Sequence, residues 1–244
     1  MRALVVADVH GNLAAFEAVI ADVRRGGGFD LIACVGDVVG YGPAPGECLT
    51  LLRSFPHVAV AGNHDWGAVG KVSLDDFNPA AAESCRWTSA RLDTDQRTYV
   101  EKLPLVTTVG DLTLAHGSPR DPIWEYLVSE SVARECFPLF STSACLVGHS
   151  HLPLLFEQRP DGSCAGRSLA PDESVPLDGR RLIINPGGVG QPRDRDPRAA
   201  YALYDGEART LTHRRVAYNV AATQAAMRRH HLSPSLVERL GYGV

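Results

Sequence analysis

Five short motifs hold the residues of this chain that could do chemistry: Asp8-Val9-His10, Gly36-Asp37, Gly62-Asn63-His64-Asp65, His116-Gly117 and Gly148-His149-Ser150-His151. They offer carboxylate, amide and imidazole donors and no thiolate. Donors of this kind suit a pair of divalent cations, and a hydroxide shared by two cations can attack a phosphorus centre. Taken singly, most of the motifs carry bland readings. Asp8-x-His10 recurs by chance, Asp37 after a strand is ordinarily a turn residue, and a lone His116 is ordinarily a hydrogen-bonded structural histidine. Gly148–His151 says more, because two imidazoles at i and i+2 can address neighbouring metals and are costly to bury unpartnered. Asp37 has two oxygens and can bridge two cations. Asn63 offers a neutral carbonyl oxygen. His64 can project toward a substrate, oriented by a carboxylate such as Asp65.

Each motif begins where an apolar run ends. Ala3–Ala7, Leu31–Val35, Val58–Ala61, Leu112–Ala115 and Ala144–Val147 are too short for helices and read as buried strands. Residues 12–25 are apolar at helical spacing and stop at Gly26-Gly27-Gly28, and Pro43 or Pro45 opens a second helix. This βαβαβ order predicts a parallel sheet, whose strand ends share one edge where ligands bind. Residues 66–104 read as a helical lid or flank. Residues 154–158, 182–184, 200–204 and 210–216 read as strands, with Asp161-Gly162 and Asp205-Gly206 as hairpin turns. The stretch 159–181 reads as an exposed excursion, and 219–242 as a helical tail. The candidate ligands run from residue 8 to residue 151, so residues 1–244 are expected to form a single domain.

The 244 residues are 45% hydrophobic and 21% charged, the composition of an ordinary globular protein. A net charge of -4 argues against bulk nucleic-acid binding, which needs clustered cations. No apolar run has the length of a membrane span. A cleavable leader would remove Asp8 and His10 and is rejected. Six scattered cysteines with no CxxC spacing point to reduced thiols and a cytoplasmic protein. A homo-oligomer is allowed, with no interface marked.

In this order the motifs, spanning residues 8–151, resemble those of the calcineurin-like metallophosphoesterase superfamily. Asp8–Asn12, Gly36–Pro43 and Asn185–Arg193 resemble a small bacterial and archaeal phosphodiesterase-like subgroup. The resemblance implies an α/β fold, a four-layer α-β-β-α sandwich of two mixed sheets. It further implies one metal on Asp8, His10, Asp37 and His151, and a second on Asp37, Asn63, His116 and His149. Asp37 and a hydroxide would bridge them, with His64 beside the leaving group. The superfamily's protein phosphatases carry Asp-Arg-Gly after Gly-Asp, where this chain has Gly40-Tyr41-Gly42, so phosphoproteins are not the expected substrates.

The leading expectation is therefore a two-metal phosphoesterase that hydrolyses diesters or monoesters by attack of the bridging hydroxide, with His64 assisting the leaving group. Manganese comes first among the metals, with iron, zinc, cobalt or nickel as alternatives. Asn12, Tyr41, Gln191 and Arg193 are candidates for substrate contact, Arg193 through a bidentate fork on phosphate. A second reading is a dinucleoside polyphosphate or nucleotide hydrolase, with Trp124 or Tyr126 stacking on a base. A third is a non-catalytic scaffold, although such a protein should lack a ligand or the Asn-His histidine, and none is missing here.

Overall fold

The computed structural model describes residues 1–244. Twelve strands form two six-stranded sheets. In the first, β1 (Arg2–Val6), β2 (Leu31–Cys34) and β3 (His57–Ala59) run parallel. Antiparallel pairing beyond β1 adds β11 (Ala199–Asp205), β12 (Thr210–Val216) and β9 (Ser174–Pro176). In the second sheet β5 (Leu112–Ala115), β6 (Ala144–Leu146) and β10 (Arg181–Pro186) run parallel. The hairpin strand β4 (Val106–Val109) flanks β5, while β7 (Pro153–Gln158) and β8 (Cys164–Ser168) extend the sheet beyond β10.

Successive strand side chains point to opposite faces, and this alternation builds the layers. Ala3, Val5 and Ala7 join Leu112, Leu114, Leu146, Leu182 and Ile184 in the core between the two sheets. Leu4 and Val6 face the other way, onto helices α1 (Leu13–Arg25) and α2 (Pro45–Arg53) through Phe16, Val19 and Leu49. On the far side Cys145, Phe156 and Ile183 pack against Ala133, Cys136 and Phe137 of α6 (Glu130–Cys136) and the turn after it. The outcome is the expected four-layer sandwich of two mixed sheets.

Three short helices, α3 (Asn63–Val69), α4 (Pro79–Ser89) and α5 (Thr94–Glu101), occupy the stretch expected to be a helical flank. The helical tail is α7 (Val220–Arg229) and α8 (Pro234–Tyr242). Residues 159–181, expected as an excursion, hold β8 and β9. Both are edge strands, and β8 is mostly exposed, so its residues show none of the alternation that marks a buried strand. No helix is long and apolar enough to cross a membrane.

Candidate metal centre

All five motifs sit just past the C-terminal ends of strands: Asp8 and His10 after β1, Asp37 after β2, Asn63 and His64 after β3, His116 after β5, and His149 and His151 after β6. Both sheets thus deliver donors to one edge. The chain turns sharply as it leaves the strands. Asp8, His10, Asp37, Tyr41, His149 and His151 all adopt φ between 49° and 64°, the left-handed region that costs a non-glycine residue energy. Backbone bonds hold these turns: the Asp8 amide donates to the Gly36 carbonyl at 3.1 Å, and that of His10 to the Asp37 carbonyl at 2.9 Å. Gly62 permits a close approach to the ligand loop, since a Cβ there would lie 2.0 Å from Asp37 Oδ1.

The seven candidate ligands are all buried and converge. His10 Nε2 lies 3.2 Å from His151 Nε2 and 3.6 Å from Asp37 Oδ2. His151 Nε2 lies 3.4 Å from Asp8 Oδ1. His116 Nε2 lies 3.3 Å from Asp37 Oδ2 and 3.3 Å from Asn63 Oδ1. Donor atoms of Asp8, His10 and His151 fall within 4.8 Å of one another, and so do those of Asp37, His116 and His149. Asp37 also groups in this way with His10 and His64, so its carboxylate stands between the two sets.

Three of the imidazoles are oriented alike. The Nδ1 atoms of His10, His116 and His151 meet the carbonyls of Val39, Val35 and Gln191 at 3.1, 2.8 and 2.5 Å. A carbonyl only accepts, so each Nδ1 carries the hydrogen and each Nε2 is turned inward, the arrangement that orients metal-binding histidines. Burial pushes His10 and His151 well below the ordinary histidine pKa, so both are neutral. Two lone pairs then face each other at 3.2 Å with no proton between them. Asp8 Oδ2 and His149 Nε2 are also buried without partners. Burial pushes Asp8 up to about 7, and burial together with the charge on His116 takes His149 down to about 3. A cation would answer each of these strains, so the residues present fit a divalent metal centre.

Beside the cluster lies a cavity of about 110 Å³, whose lining includes Tyr41, His64, Phe77, Trp124, Tyr126 and Arg193. Arg193 has no carboxylate partner within ion-pair distance, and its Nε is buried and unbonded. Its Nη2 donates to Gln191 Oε1 at 3.2 Å. Gln191 itself is buried beneath it and does not line the cavity. Asn12 stands outside the cavity too. Its Nδ2 donates to the Gly190 carbonyl at 2.8 Å, and its Oδ1 accepts from the Ala15 amide and Thr223 Oγ1, tying α1 to the tail. A larger groove of about 670 Å³ beside Glu17, Glu47 and Arg91 shares no residue with the cluster.

The expectation that Asp65 orients His64 is corrected. The two are adjacent in the first turn of α3, but the Asp65 carboxylate turns back to accept the amides of Asp37, Val39 and Gly62 at 2.8, 3.1 and 3.1 Å. Cys85 Sγ of α4 faces His64 Nδ1 instead, at 3.4 Å. Cys85 and Phe77 were not legible as site residues. Their signal was limited to the Asn78-Pro79 helix start and a buried face at Ala81, Ser84, Cys85 and Thr88.

Comparison with known proteins is consistent along the whole chain. Residues 1–209 match the family model of the calcineurin-like phosphoesterase superfamily domain. The uncharacterized protein MJ0912 of Methanocaldococcus jannaschii is 34% identical, the match covering 98% of this chain and 97% of that one. The crystal structure of a metallophosphoesterase from Sphaerobacter thermophilus is 46% identical and superposes with a TM-score of 0.90, covering 100% of this chain and 99% of that one. A hypothetical protein from Pyrococcus horikoshii shares the fold at 19% identity and a TM-score of 0.79, covering 100% and 98%. Likeness of that extent, carried by sequence and fold together, means that the chain belongs to the calcineurin-like phosphoesterase superfamily of metal-dependent phosphoester hydrolases.

Proposed function

We propose that Asp8, His10, Asp37 and His151 hold one divalent ion and Asp37, Asn63, His116 and His149 a second, and that the chain hydrolyses phosphodiester or phosphomonoester bonds in small substrates. The observation that carries this reading is the pair of inward, neutral Nε2 atoms of His10 and His151 at 3.2 Å. Oxygen and imidazole donors favour manganese, with iron, zinc, cobalt or nickel next. Two bound ions would lower the pKa of a shared water and offset charge on the phosphoryl oxygens. The chain's own residues do the rest. Asp37 keeps its negative charge: burial raises its pKa, but the neighbouring histidines, the protonated His116 foremost, outweigh that and hold it below the ordinary carboxylate range. Arg193 lines the cavity without a carboxylate partner and offers its guanidinium to a phosphoryl oxygen. His64 presents a hydrogen-bond donor to the departing oxygen.

A nucleotide or dinucleoside polyphosphate substrate is the second reading, supported by Trp124 and Tyr126 at the cavity. A base would stack on Tyr126, which is half-exposed at the cavity rim. Six unpaired cysteines support a cytoplasmic setting.

Elemental analysis of the purified protein, joined to a panel of diesters, monoesters and dinucleoside polyphosphates, tests the proposal. Two ions per chain and metal-dependent turnover of a small ester are expected. Unchanged turnover after exhaustive chelation would falsify it.

A further inference from the structure

The geometry points to Cys85 as the positioning residue of His64: its thiol hydrogen-bonds Nδ1 and so holds the Nε2–H toward the cavity. This rests on the proposed role of His64 beside the departing oxygen.

His64 is buried and caged. Its ring centroid lies 4.2 Å from that of Tyr41, 4.8 Å from that of His10 and 5.1 Å from that of Phe77. Gly40 presses on the same ring, since a Cβ there would come within 2.5 Å of Nδ1. The ring therefore cannot turn freely, and Nδ1 faces Cys85 Sγ at 3.4 Å, within hydrogen-bond range for sulfur. The neighbouring carboxylate, Asp65, is engaged by three backbone amides. Ser84, next to Cys85 on α4, anchors the other wall of the cage, its Oγ accepting from the Tyr41 amide at 2.8 Å. Two successive side chains of one helix thus fix both the ring and the wall it leans on.

Burial pushes the Cys85 thiol up, so sulfur keeps its hydrogen and can donate it to Nδ1. A nitrogen that accepts has no hydrogen of its own, and in a neutral imidazole the hydrogen then sits on Nε2. That is the nitrogen left to the cavity, where it donates to the oxygen on which charge develops. No proton leaves sulfur in this scheme.

The test compares Cys85→Ala, Cys85→Ser and His64→Ala on aryl phosphoesters with p-nitrophenolate and phenolate leaving groups. Departing phenolate is the poorer leaving group and depends more on a donor. For Cys85→Ala, kcat on the phenyl ester should fall about 10-fold more than on the p-nitrophenyl ester, a fraction of the roughly 10²–10⁴-fold a positioned acid supplies. KM and metal content should hold. Cys85→Ser, whose hydroxyl can still donate, should restore most of the phenyl-ester rate.

Nitrogen-15 NMR of His64 in the wild-type, zinc-loaded protein gives a readout independent of activity and of any variant's folding. It should show a protonated Nε2 and an unprotonated Nδ1. A hydrogen on Nδ1, or an equal loss on both esters in Cys85→Ala, overturns the inference. If His64→Ala discriminates between the esters and Cys85→Ala does not, the inference alone fails. If His64→Ala does not discriminate either, the reading of His64 fails.

Discussion

Asp65 Oδ2 accepts the backbone amide of Asp37 at 2.8 Å, so one buried carboxylate builds the loop that presents another. The same group accepts from Gly62 and Val39, and the Val39 carbonyl in turn meets His10 Nδ1. A single side chain therefore joins the loops after β2 and β3 and, through Val39, sets the direction of His10. Removing it strands three buried amides, each costing about 1–3 kcal/mol. Asp65→Ala should lower unfolding stability by at least about 3 kcal/mol on that basis and lose metal during purification. Asp65→Asn keeps one acceptor oxygen and should fall between. Urea unfolding and metal analysis check this, and a full metal complement in stable Asp65→Ala would contradict it.

Arg193 is the free cation of the cavity, and its work should be separable from metal binding. Replacing it by Ala removes a charge-assisted contact to phosphate worth about 1.5–3 kcal/mol, or roughly 10- to 150-fold in kcat/KM. Arg193→Lys keeps the charge without the fork and should recover part of the loss. Metal content should stay at the wild-type level in both. Steady-state kinetics beside elemental analysis decides it. A loss of metal would place Arg193 in the scaffold.

Stability should also fall in acid through a histidine remote from the candidate ligands. His213 on β12 is buried, with Nδ1 on the Ala170 carbonyl at 3.0 Å and Nε2 unbonded. Burial holds its folded-state pKa below the ordinary value of 6.5. As pH falls through 6.5 the unfolded chain takes up the proton before the folded one does. The contribution is therefore complete above that pH and is lost as pH drops toward the folded value. His213→Asn keeps a donor for Ala170 without titrating. The wild-type minus variant difference in urea midpoint should shrink from pH 8 to pH 5, and a constant difference would rule His213 out.

The convergence of the candidate ligands was legible because each donor stands directly after a short apolar run, and a strand end fixes a residue's place in space. Side-chain direction was not legible. Asp65 and His64 are neighbours in sequence, yet one turns back to the loop amides and the other toward α4. Asn12 read as a candidate for substrate contact, and it is instead a helix cap tied to the tail. Its cap bond to Ala15 is local, whereas its bond to Thr223 spans 211 residues and leaves no trace in either segment. The strands β4, β8 and β9 escaped for another reason. Edge strands such as Val106–Val109 and Cys164–Ser168 bury little, so the alternation that reveals a strand is weak.

The tail should unfold together with the sandwich, making residues 1–244 one domain. Met227, Leu236, Val237 and Leu240 of α7 and α8 are buried against Tyr41 and Ala81, next to the cavity. Thr223 Oγ1 meets Asn12 Oδ1 at 3.0 Å, and the Arg195 amide donates to the Gly243 carbonyl at 2.8 Å. The tail thus closes over the loops that carry Asp8, His10 and Tyr41. Met227→Ala should cost about 2–5 kcal/mol, as truncation of a buried methionine does. Because the contacts are shared, that cost should shift one common transition, seen alike by far-UV circular dichroism and tryptophan fluorescence at saturating metal. A separate early step in Met227→Ala, with the main transition unmoved, would mean the tail is an independent unit resting on the site.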